Sequence, residues 1–89
     1  MDTKFAAPLL VWISRPEGPH LVRSVCDVDA GLAALIRDGL GNYDFISPEW
    51  QVAMESLRRA KSDPCVELVE AARSALKSVA VASGALLDG

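Results

Sequence analysis

The chain has 89 residues, the length of a single domain spanning 1–89, and its 51% apolar to 24% charged balance excludes a disordered tail. A domain of this size buries about 60 to 65% of its unfolded surface, enough for a core but with little margin. The net charge of −3 argues against nucleic acid as a partner, because binding phosphates needs a basic surface that releases counterions.

Residues 9 to 14, Leu-Leu-Val-Trp-Ile-Ser, are apolar and partly β-branched, as a largely buried strand requires. Pro16-Glu17-Gly18-Pro19 cannot continue that strand, since two of the four residues lack an amide donor and Gly18 permits positive φ. The chain therefore reverses, and His20 to Cys26 reads as the returning strand of a hairpin over about 8–26. Two registers are open. One sets Ile13 opposite Val22 and Trp12 opposite Arg23; the other sets Ile13 opposite Leu21 and Trp12 opposite Val22. A one-residue slip exchanges the faces of one strand relative to the other, and neither alternation decides the matter.

Asp27 is placed to cap a helix over 28–39, with Val28, Leu32, Leu35, Ile36 and Gly39 on its apolar face. The aromatics of the following loop, Tyr43 and Phe45, are expected to fold back onto the core. Ser47-Pro48-Glu49 supplies a capping hydroxyl, a proline at the first helical position and a first-turn acid. It opens a second helix over 48–61 with a stripe of Trp50, Ala53, Met54, Leu57 and Ala60. Asp63-Pro64 repeats the signal and predicts a third helix over 64–83, with Val66, Val69, Ala72, Leu76, Val79 and Ala80 inward and Gly84 as its left-handed stop. The fold class is thus α+β: a two-stranded antiparallel hairpin followed by three helices. Such a hairpin is marginal in water unless helices cover one face, which leaves its other face or its edge open to a partner.

In this arrangement the chain resembles a small bacterial family catalogued as domain of unknown function 982, common in rhizobia and their relatives. Four stretches carry the resemblance: Pro8 to Ile13, Val22-Arg23-Ser24-Val25 with Asp29-Ala30, the Trp50 to Ala60 helix, and Ala72-Arg73-Ser74-Ala75-Leu76 with Ala80. Leu76 stands where the family favours phenylalanine, and the tryptophan-proline pair that often follows the first helix is missing. The resemblance implies a short α+β fold and supplies no activity.

No catalytic set is visible. His20 is the single histidine and lies beside the turn, where general-base work would lack a positioned partner. Cys26 and Cys65 are too few and too widely spaced for a disulfide framework, and without a C-x-x-C pair they suit core packing better than zinc. No cofactor is expected. The basic run Arg58-Arg59-Ala60-Lys61 closes a helix, where cations favour the negative end of the macrodipole. Phe5 to Ile13, the longest apolar stretch, contains Pro8 and is too short to cross a membrane, and nothing near Asp2 and Lys4 resembles a signal peptide, so a cytoplasmic location is expected.

Three residues remain as candidate contacts. Trp12 and Arg23 lie on the hairpin, where tryptophan serves equally as core or as an interface anchor. Arg73 borders the apolar stripe of the third helix and is expected to pair with Asp29 or Glu70, or else to anchor an anionic ligand. The reading that follows is a non-enzymatic interaction module that binds itself or another protein, with a small-anion binder or sensor as the alternative. A helix-turn-helix regulator fits poorly with the acidic balance and the proline at the third helix.

Overall fold

Asp27 ends one strand and starts one helix, and its local geometry shows how the chain changes direction. Its backbone is extended (φ −152°, ψ 177°) and its carboxylate accepts the Ala30 amide at 2.7 Å, the expected N-cap. The computed structural model describes residues 3–13, 21–37, 40 and 48–88. They form β1 (Lys4–Ile13), β2 (Leu21–Asp27), α1 (Val28–Ile36), α2 (Pro48–Ser62), α3 (Val66–Ala82) and β3 (Leu86–Asp88). The predicted turn at 15–19, His20, Gly39 of the expected α1 face, the 41–46 loop and the Ser47 cap lie outside the described residues.

β1 and β2 pair antiparallel in the second of the two open registers, with Trp12 opposite Val22 and Ile13 opposite Leu21. Alternation then buries Leu9, Val11, Ile13 and Val25 on one face. The hairpin begins at Lys4 rather than near residue 8. The ladder holds from Ile13 to Leu9, breaks, and resumes at Lys4 opposite Asp27, so Phe5, Ala6, Ala7 and Pro8 span a stretch where β2 offers only Cys26. Pro8 has no amide to contribute, and such a bulge is where a strand tolerates it.

The sheet has three strands, in the order β2-β1-β3, rather than the two expected. Gly84 stops α3 as predicted: it takes φ +70°, its amide meets the Val81 carbonyl at 3.1 Å, and the Ala85 amide meets the Ala80 carbonyl at 2.8 Å. That stop turns the chain onto the second edge of β1, where the Trp12 amide donates to the Ala85 carbonyl at 2.7 Å and Leu86 pairs with Val11. Leu86-Leu87-Asp88 is too short to carry a period, so nothing local in it announces a strand.

The helices differ from expectation at their ends and on one face. α1 stops at Ile36 instead of 39, and the Leu40 amide folds back to the Ala34 carbonyl at 2.9 Å, burying Leu40. α3 starts at Val66 instead of 64, capped by Cys65 without a side-chain hydrogen bond. The Asp63 amide closes the last turn of α2 through the Arg59 carbonyl at 2.9 Å, and with Cys65 at the cap position Asp63 stands two residues ahead of it. Val66 is consequently 78% exposed, whereas Val69, Ala72, Leu76, Val79 and Ala80 are buried as predicted. The stripe expected of α2 also holds, with Trp50 half-buried against the core.

The buried face of α1 is Val28, Gly31, Ala34 and Leu35, and Ile36 points outward at 62% exposure. The cause is Gly31. A Cβ there would lie 3.0 Å from Leu57 Cδ2 and 3.2 Å from Leu76 Cδ2, so α1 meets α2 and α3 through bare backbone. Leu57 and Leu76 are fully buried and cannot both withdraw. α1 and α3 rest on the sheet, and α2 packs against both. Overpacking at this contact outweighs the helix-propensity gain: Gly31→Ala is expected to lower stability by about 1 kcal/mol and Gly31→Val by about 3 kcal/mol in urea denaturation. Equal or greater stability in Gly31→Ala would show that the contact has slack.

Candidate functional site

Because strand residues alternate between faces, burying Leu9, Val11 and Ile13 under the helices sends Leu10 and Trp12 to the other side. The register places Ser24 beside Leu10 and Val22 beside Trp12 on that outer side. On β3, Leu86 packs against the core and Leu87 points the opposite way. Trp12, Val22 and Leu87 are 43%, 56% and 49% exposed. The outer side of the sheet therefore carries Leu10, Trp12, Val22 and Leu87 with the Ser24 hydroxyl, and the register sets Asp88 beside Leu10. Trp12 sits on the central strand, paired with Val22 on one side and bonded to Ala85 on the other, and Leu87 falls where the β1–β3 register shifts between Leu10 and Val11.

The three candidate residues do not converge. Trp12 is on the outer face. Arg23 lies opposite Val11, hence on the helix side of the sheet, exposed beside α1 at a small cleft shared with Ala30, Ala33 and Arg37. Arg73 is on α3, half-buried, and its Nε donates to the Ala7 carbonyl at 2.7 Å. Asp29, one of the two carboxylates expected beside Arg73, carries a salt bridge from Lys61 at 3.0 Å. Glu70, the other, accepts the Ala6 amide at 3.2 Å. Glu70 and Arg73 stand one helical turn apart and hold consecutive residues of β1 where its ladder with β2 is broken. The sequence names both residues, but no pattern in it shows that each reaches the backbone of β1.

The remaining chemistry is dispersed. Cys26 and Cys65 are free and half-buried, at the end of β2 and the start of α3. Among the described residues no three His, Cys, Asp or Glu side chains are grouped to hold a metal, and no buried side-chain polar atom lacks a hydrogen-bond partner. An open groove of about 730 Å³ lies between α2 and the start of α3, with Trp50, Met54 and Leu68 as its apolar part and Arg58, Arg59, Glu55 and Asp63 around it. Its charges are of both signs, Arg59 faces Glu55 at 3.8 Å, and Arg73 is not among its lining. Among the described residues no helix is long and apolar enough to cross a membrane. No family model, no curated protein and no solved structure matches the chain.

The Glu70 and Arg73 contacts are partly solvated, so each is worth about 1 kcal/mol. Arg73→Met is expected to lower stability by that amount and, like Glu70→Ala, to speed hydrogen exchange at Ala6. An Arg73→Met protein with an unchanged melting temperature and unchanged exchange would remove this clamp from the description.

Proposed function

We propose that the chain is a non-enzymatic protein-interaction module that works through the outer face of its sheet. The observation that carries this reading is the set of exposed apolar side chains Trp12, Val22 and Leu87, with Leu10 and Ser24 beside them, which no helix covers among the described residues. What such a face offers is apolar area and a central tryptophan, the ingredients of association. A cytoplasmic location belongs to the same reading, since two free, half-buried cysteines suit a reducing compartment. So does kinship with domain of unknown function 982, carried by the four stretches of sequence.

Val22→Lys, at the more exposed position, and Trp12→Glu are expected to leave the chain folded, with the Trp12 change costing more stability because over half of that side chain is covered, while abolishing association with protein. A melting temperature that collapses in either variant would make this face part of the core and defeat the proposal. The anion-binding alternative is tested by thermal shift with inorganic phosphate. No stabilisation is expected; a shift lost in Arg73→Met would move the function to α3.

A further inference from the structure

We infer that residues 3–8, the first half of β1, form a strap over the start of α3 that opens and closes as one unit while the rest of the fold stays closed. The strap is held differently from the strand that continues it. Every residue of 9–13 is paired with β2, and Leu9, Val11 and Ile13 are buried. Within 3–8, Phe5 alone is buried; Thr3 is half-buried, and Lys4, Ala6, Ala7 and Pro8 are exposed. The ladder to β2 is interrupted between Lys4 and Leu9, and the pairs with β3 stop at Leu10. Pro8 stands at the boundary, where it has no amide to give either neighbour.

The bonds that hold the strap lie at its two ends. Glu70 accepts the Ala6 amide at 3.2 Å and Arg73 donates to the Ala7 carbonyl at 2.7 Å, both open to solvent. At the other end Lys4 pairs with Asp27, and the Thr3 carbonyl accepts the Val28 amide at 3.1 Å. Solvent-exposed backbone bonds and few buried apolar side chains mark the segments that open below the cost of global unfolding. Phe5 is the anchor, seated in the same core cluster as Val69. Val69 also lines a cleft of about 180 Å³ between strap and helix, with Lys4, Ala6, Val66 and Glu70. When the strap lifts, Phe5 leaves the core and this cleft widens into an apolar notch beside Val66, already 78% exposed. Glu70 and Arg73 are thus a latch on access to the start of α3.

The test is hydrogen exchange of the full chain, read residue by residue by NMR. The Val28 amide is the distant reporter, because it opens α1 yet is bonded to the strap's Thr3 carbonyl. Ala6 and Val28 are expected to share one opening, about a hundredfold or more easier than that of residues 9–13 and nearly insensitive to low urea, since little surface is exposed. Glu70→Ala and Arg73→Met should each raise that opening about fivefold, by the same factor at Ala6 and at Val28. Unequal openings at Ala6 and Val28 would mean that the bonds break singly. Openings equal to those of residues 9–13 would mean that β1 moves as a whole. Either result overturns the inference, as does a Glu70→Ala chain in which Ala6 accelerates and Val28 does not.

Discussion

The architecture depends on β1 being hydrogen-bonded along both edges. β2 takes one edge and β3 takes part of the other, through the Trp12 amide and the Val11 pairing with Leu86. Where β2 falls out of register beside Ala6 and Ala7, Glu70 and Arg73 supply bonds from α3. An interior strand cannot leave backbone groups unpaired without cost, and two long side chains from a helix complete what a strand would otherwise do. The same bonds tie α3 to the sheet. With α1 entering directly from β2 and meeting α2 and α3 at Gly31, the helices are drawn to one side.

That one-sidedness is what gives the outer face its character. A sheet exposed to water usually alternates apolar and polar residues cleanly. Here the inner set, Leu9, Val11, Ile13 and Val25, is matched by an outer set with Leu10, Trp12, Val22 and Leu87. A chain of 89 residues has little apolar surface to spare for its core, so leaving a tryptophan 43% exposed on the central strand is a cost in stability. Association would recover it, and would make the apparent stability rise with protein concentration.

Much of the secondary structure was legible because single residues carry it. Asp27 capped α1, Gly84 ended α3, and the stripes of α2 and α3 lay where their spacing put them, Val66 apart. The errors arose where tertiary contacts outvoted local signals. Asp63-Pro64 has the composition of a helix start, yet Asp63 finishes α2 and the cap position of α3 falls two residues later, on Cys65. Ile36 looks like part of the buried face of α1, yet Gly31 allows an approach so close that the helix turns Val28, Gly31, Ala34 and Leu35 inward, with Leu32 at the edge of the core and Ile36 outside it. β3 was illegible because its three residues acquire strand character only from the edge of β1. Of the candidate site, Trp12 could be named in advance; its face depended on a register that alternation alone left open, and Leu87 had no signal at all.

The central claim is that the outer face of the sheet is the surface through which the chain associates. A soluble paramagnetic relaxation agent reads this directly by NMR, at low and high protein concentration. The account predicts strong attenuation at the Trp12 indole, Val22 and Leu87 in dilute protein, and protection of those same sites, but not of the outer surfaces of α2 and α3, when it is concentrated. Protection of Trp12 at every dilution would mean that the chain covers the face itself, and equal attenuation at all concentrations would mean that no second copy does.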